Sequence, residues 1–190
     1  MLSIQRKNQH LMWRAGFGPS ASQLEQLKEI SPHQLYKALQ KASAKKPEYI
    51  DVADNYLKGL MMGVGDVASQ SKKDLDKEDK KLLRQHQRDS IKNLNLTWLR
   101  EMVDSNAQLR EKMSFFWHGH FASRNINVFF QQGILDVVRG NALESFRDLL
   151  HEVSKSAAML NFLNANQNRK GHPNENFARE VMELFTLGRG

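Results

Sequence analysis

The chain has 190 residues, 40% of them hydrophobic, with three Trp and ten Phe, which fits one domain with a real core. It has no cysteine, and this excludes disulfides, thiolate metal sites and cysteine nucleophiles together. The formal charge of +7 lies in the first half, where residues 1–100 hold 18 Lys and Arg against 11 Asp and Glu while residues 101–190 hold 10 of each.

The first eighteen residues, MLSIQRKNQHLMWRAGFG, interrupt any apolar run with Gln5, Arg6, Lys7, Asn8, Gln9 and His10. They are not expected to act as a signal peptide, and the protein is expected to start in the cytoplasm. No stretch approaches the roughly 20 apolar residues of a membrane span. Leu2, Ile4, Leu11, Met12 and Trp13 predict a short first helix, broken by Gly16, Gly18 and Pro19. Ser20 or Ser22 can cap a second helix carrying Leu24, Leu27 and Ile30, with Glu25 three after Ser22 as in a capping box. Ser31-Pro32 starts a third, with Leu35, Tyr36 and Leu39 inward. A helix is expected over residues 49–62. Residues 66–80, DVASQSKKDLDKEDK, are expected to form a mobile charged linker or a frayed helix start. Their lysines are mixed with acids and lack interleaved aromatics, so nucleic acid is not an expected partner.

From Lys80 to about His118 apolar residues recur at threes and fours, with Leu83, Ile91, Leu94, Trp98, Met102 and Val103, then a break at Asp104-Ser105-Asn106. A further helix is expected to carry Leu109, Met113, Phe116 and Trp117 on one side. Residues 126–138 predict another. Asn141 with Glu144 resembles a capping box for the next, whose inner face is Leu143, Phe146, Leu149, Leu150 and Val153. A short helix over 157–163 precedes the Asn-rich loop NANQNRKGHPNEN, residues 164–176, and a last helix over about 175–187 stopped by Gly188. The expected class is an all-α, orthogonal or bundle-like assembly of roughly seven to nine helices.

Chemistry-bearing residues concentrate in two places. In FWHGHF, residues 116–121, His118 and His120 are candidate metal ligands or acid–base groups, with a divalent metal as the implied cofactor. On a continuous helix they stand about 200° apart. They converge if the helix ends at His118 and Gly119 turns left-handed. The bland reading is a pair of structural histidines bonded to backbone or carboxylate. The second place is the last helix. Phe177, Ala178, Val181, Met182, Leu184 and Phe185 fill one half of its wheel. Glu175, Asn176, Arg179, Glu180 and Glu183 share the other, with Arg179 spaced to pair with acids four residues away on either side. No nucleophile elbow, P-loop or paired-histidine zinc motif is present.

Four stretches occur in an order that resembles the bacterial domain of unknown function 1800 family. They are HLMWRAGFGPS, REKMSFFWHGHFAS, the Phe146–Leu163 region and NRKGHPNENFAREVMELFTLGRG. The matching positions are Arg14, Gly16, Gly18, Trp117, His118, His120, Asn168, Arg169, Lys170, Gly171, Pro173, Asn174, Glu175, Asn176, Arg179, Glu180 and Glu183. Members are generally longer, so the resemblance implies that this chain is the N-terminal part of the family's domain. It also implies a cell-envelope or polysaccharide-related setting, since many members are exported. A sulfatase-like protein of the domain of unknown function 1501 family is the implied partner. Two functions follow as expectations. One is a helical binding or scaffold module. The other is an enzyme, metal-assisted or acid–base, with His118, His120, Glu175, Glu180 and Glu183 as its reactive groups and Arg14, Asn168, Arg169, Lys170, Asn174, Asn176 and Arg179 as its binding groups.

Overall fold

The computed structural model describes residues 2–63, 75–172 and 175–188. Among them the protein is all-α, as expected. Ten helices follow one another: α1 (Ile4–Ala15), α2 (Gln23–Gln26), α3 (Pro32–Ser43), α4 (Asn55–Met61), α5 (Lys77–Asp104), α6 (Gln108–His120), α7 (Val128–Asn141), α8 (Phe146–Lys155), α9 (Ala157–Phe162) and α10 (Glu175–Phe185). The sole bridge among the described residues pairs Arg169 with His172 in a tight turn. No helix among them is long and apolar enough to cross a membrane.

Local sequence sets most helix starts. Ser31 accepts from the Gln34 amide while the Gln34 side chain returns to the Ser31 amide, so α3 opens on a complete capping box with proline in its first turn. Asp54, Asp76, Asn127, Ser145 and Ser156 cap α4, α5, α7, α8 and α9 by the simpler device of a side-chain oxygen accepting from a first-turn amide. Two expected caps are corrected. The Ser22 hydroxyl makes no capping hydrogen bond to α2, which is a single turn; the Gln23 carboxamide instead accepts from the Ser20 amide. Asn141 ends α7, donating back to the Val137 carbonyl, and Ser145 rather than Asn141 opens α8. Helix α5 begins at Lys77, inside the stretch expected to be a linker or a frayed helix start; residues 66–74 of that stretch lie outside the described residues.

Helix α7 is the hub, packing against α5, α6, α8 and α9, while α1 and α3 pack on each other and on α6. The largest apolar cluster joins Phe121, Ile134, Val138, Leu149, Val153, Met159 and Phe185 and so binds the end of α6 to α7 through α10. A second holds Met12, Leu27, Leu35 and Leu39 around α1 and α3. Burying one such aliphatic residue fully contributes about 1.5–3 kcal/mol of transfer free energy. Several residues expected inward are instead exposed: Tyr36, Val103, Phe116, Leu143, Phe146, Met182 and Leu184.

The expected helix over 49–62 is only half formed, since residues 44–54 run without regular structure before α4. Backbone polar groups in such a segment need partners when buried, and side chains of α6 and α7 supply them. Arg110 Nη1 donates to the Ser43 and Lys45 carbonyls, Arg139 Nη1 donates to the Glu48 carbonyl at 2.7 Å, and Gln132 Oε1 accepts from the Val52 amide.

The two arginines converge on Glu111, which is fully buried. Arg139 reaches it at 3.0–3.3 Å through Nε and Nη2, Arg110 Nε lies at 3.4 Å, and Trp98 Nε1 donates to its Oε2 at 2.9 Å. Glu101, half-exposed, adds a second carboxylate 3.6 Å from Arg139. Helix α6 therefore buries Gln108, Arg110, Glu111 and Ser114 most deeply, while of the side expected from the apolar pattern Leu109, Met113 and Trp117 are partly buried and only Phe116 is exposed.

A smaller electrostatic tie joins α4 to α5. Asp54 accepts from the Leu57 amide and meets His86 Nδ1 at 2.6 Å, with Tyr56 stacked on the imidazole. Burial alone would raise the Asp54 pKa, but the Leu57 amide and His86 together hold it below the usual carboxylate value. A depressed folded-state pKa stabilises above the unfolded pKa, and that stability is lost as pH falls through the folded value. Because the pair is partly exposed, the effect is at most about 1 kcal/mol. Asp54→Asn keeps a capping oxygen and removes the charge. Urea midpoints are expected to separate wild type from variant at neutral pH and to converge in acid. A constant gap across that range would contradict the tie.

Candidate functional site

Helix α6 runs unbroken through His120, with Phe121 as its C-cap, so the left-handed turn at Gly119 on which convergence of the two rings depends does not form. No neighbouring atom forces a turn there, and the space beside Gly119 is open. The two imidazoles consequently face different surroundings. His118 is half-buried, its ring 5.0 Å from Trp98 in an edge-on contact. Burial holds its pKa below the ordinary histidine value, which favours a neutral ring.

His120 lies on the other side of the helix. Its Nε2 is 3.0 Å from the Phe185 carbonyl oxygen. Phe185 is the last residue of α10, where the final carbonyls lack intrahelical partners. The imidazole thus caps the C-terminal end of α10. The ring also meets Trp117, Phe121, Phe146 and Phe185 edge-on.

The polar side of α10 forms a ladder. Arg179 Nη2 donates to Asn176 Oδ1 and forms an ion pair with Glu180 Oε1, both at 2.9 Å, and Nη1 reaches Glu183 Oε2 at 3.4 Å. Asn176 Nδ2 extends toward the Leu163 carbonyl at 3.4 Å, tying α10 to the end of α9. Glu180 and Glu183 are partly buried, whereas Glu175 is exposed. The expected pairing of Arg179 with Glu183 is present, and Glu180 joins it.

The loop before α10 is built locally. A 3-10 turn spans Ala165–Gln167, and Asn168 Nδ2 donates to the Ala165 carbonyl at 3.0 Å. Arg169 and His172 exchange backbone hydrogen bonds around Gly171, whose φ of 84° suits glycine. Arg169 and Lys170 are exposed on that turn. Asn174 lies outside the described residues. Arg14 is exposed on α1, which packs on α3 and α6.

The structure therefore brings His120 to the C-terminal end of α10 and gathers Asn176, Arg179, Glu180 and Glu183 along that helix. It sends His118 to the opposite side of α6, toward Trp98. No group of three or more His, Asp or Glu side chains among the described residues is placed to hold a metal ion. Sequence reasoning missed the series of contacts from His118 through Trp98 to Glu111 and Arg139. A signal was available, since Gln108, Glu111, Ser114 and His118 recur at threes and fours as a polar stripe beside the apolar positions of the same helix.

No curated protein and no solved structure matches the sequence. Residues 10–190, essentially its whole length, match the family described as protein of unknown function (DUF1800). The GFGPS break, the FWHGHF helix end, the Asn-rich turn and the charged ladder of α10 all fall within that match, and the chain belongs to this family.

Proposed function

We propose that the protein is a helical binding module of a cell-envelope or polysaccharide-related system, in which the FWHGHF segment seats the last helix and loop rather than performing chemistry. The observation that carries this reading is the His120 contact with the Phe185 carbonyl at 3.0 Å. It spends one of the two histidines on closing α10, and α10 in turn carries the Arg179 ladder and follows the exposed Arg169–Lys170 turn in the chain. The partner suggested by the family resemblance is a sulfatase-like protein of the domain of unknown function 1501 family. Co-elution of the two on size exclusion supports the reading, and weakening by an Arg169→Ala, Lys170→Ala variant would place the contact at the turn. Failure of any such protein to co-elute counts against this partner.

His120→Ala is expected to cost about 1 kcal/mol, one hydrogen bond and cap. Hydrogen exchange at α10 amides is expected to accelerate while α3 and α7 stay protected. Unchanged exchange in α10 would remove the seating role.

A second reading, acid–base chemistry at His118, is favoured by its neutral, half-buried ring. Elemental analysis of untagged protein tests the metal-assisted form. Stoichiometric metal that disappears in a folded His118→Ala, His120→Ala variant would make the enzyme the better reading.

A further inference from the structure

Six of the seven net positive charges belong to the first quarter of the chain, where residues 1–47 hold eight Lys and Arg against two acids. Helices α1 and α3, which pack on each other, contain no acid. The two acids lie between them in sequence: Glu25 pairs with Lys28, and Glu29 is exposed. Among the described residues no carboxylate pairs with Arg6, Lys7, Arg14, Lys37 or Lys41, all of them exposed. A solvated helix face laced by its own salt bridges carries both signs of charge. This one carries a single sign.

Trp13 adds a second, independent feature. At about 100° per residue, α1 turns Asn8, Met12 and Ala15 inward and presents Arg6, Lys7, His10, Trp13 and Arg14 within about 120° on its outer side. Trp13 is 62% exposed, and Leu2 and Ile4 at the start of the helix are 63% and 50% exposed. The indole is nevertheless held in place. Its six-membered ring lies on Gly18, where an added Cβ would stand 3.0 Å from it. A fixed, exposed tryptophan among cations matches the boundary of an anionic bilayer, where indoles sit at headgroup level and Lys and Arg meet the charged lipids. A nucleic-acid backbone supplies phosphates but no acyl boundary for Leu2, Ile4 and Trp13.

We propose that the outer side of α1 docks the protein on an anionic lipid surface. Arg6, Lys7 and Arg14 meet lipid phosphates, and Trp13 enters the headgroup layer. The cations of α3 add to the same potential, since packed helices lie about 8–10 Å apart, roughly one Debye length. The inner side of α1 stays on α3 and α6, so the contact is peripheral and leaves the core intact. It uses no part of the FWHGHF segment or α10 and stands independently of the partner proposed above.

Vesicle sedimentation of the full chain tests this. The protein is expected to sediment with mixed phosphatidylglycerol and phosphatidylcholine vesicles at about 0.1 M salt, to be released at about 0.5 M, and not to bind pure phosphatidylcholine. Arg6→Gln combined with Lys7→Gln is expected to weaken binding about thirtyfold. The same loss of charge at the exposed Arg88 and Lys92 of α5 is expected to change it by less than about threefold. Thermal melts matching wild type show that both variants are folded. Lipids with brominated acyl chains are expected to quench the tryptophan fluorescence of the wild type. Trp13→Phe, which keeps a ring beside Gly18, is expected to abolish that quenching, because Trp98 is buried and Trp117 packs against Phe121 and Phe146. Absence of binding to the anionic vesicles, or equal binding to both kinds, would overturn the proposal. So would an equal loss from the two charge pairs, or quenching that persists in Trp13→Phe. A stoichiometric complex with duplex DNA, weakened by the Arg6 and Lys7 substitutions in a protein that leaves vesicles unbound, would assign the face to nucleic acid and overturn it as well.

Discussion

Replacing Glu111 with glutamine is expected to destabilise the protein by about 3–5 kcal/mol, the cost of stranding a buried charge without its partner. For a protein of this size that lowers the melting temperature by roughly 6–20 °C. Glu111 is fully buried, and Arg139 and Arg110 both point at it. Glutamine keeps the volume and one acceptor for Trp98 Nε1 but removes the charge that balances two guanidinium groups. Those groups cannot withdraw to water, because they also hold the Ser43 carbonyl at the end of α3 and the Lys45 and Glu48 carbonyls of the irregular segment before α4. Glu101→Gln is the control, since Glu101 is half-exposed and 3.6 Å from Arg139. Its loss is expected to cost no more than about 1 kcal/mol. Circular-dichroism melts of the two variants decide the matter. A Glu111→Gln protein melting within a degree or two of Glu101→Gln would mean that the network contributes no more than a surface pair.

Truncating Phe121 to alanine ranks second, with an expected loss of about 3–5 kcal/mol for a large buried aromatic. Phe121 is 2% exposed and follows directly on His120. Its ring stacks on Trp117 and Phe146 and packs on Phe185 at 5.6 Å, so this one residue joins α6, α8 and α10. The variant is expected to lose global stability and to loosen α10 further than His120→Ala does. Phe121→Leu, which refills part of the volume, is expected to recover about half of the loss. Urea unfolding measures the first effect and hydrogen exchange the second. Stability lost with α10 still protected would place the ring in the α7–α8 core alone.

Helix identity was legible wherever a cap and a period agreed. Ser31-Pro32 with Gln34, the long run from Leu83 to Met102, and Gly188 after the last helix all appear where expected. Those signals are local: they depend on side chains within four residues of the backbone groups they satisfy. Misreadings arose where the deciding partner was distant in sequence. Residues 49–54 have a helix-compatible pattern, yet Gln132 and Arg139, some 80 to 90 positions away, take backbone groups at Val52 and Glu48 and hold the segment out of helix. Asn141 and Glu144 have the spacing of a capping box, but α7 continues through Asn141 because its apolar face is still in contact there.

The candidate site divides along the same line. Composition, the lack of cysteine, the all-α class and membership of a family follow from the order of residues alone, because they rest on local periods and on four linear motifs. The Arg179 ladder is also readable, since partners four apart on a helix must be neighbours. The fates of His118 and His120 are not. Two positions apart on a helix that either stops or continues, they converge or diverge. The packing of α10 and Trp98 around α6 settled the outcome, sending one ring to a carbonyl and the other to an indole. Tertiary structure likewise decided that Glu111, an ordinary surface residue by type, is the most enclosed charge in α6. A buried ion network is fixed by three-dimensional neighbours whose separation along the sequence follows no period.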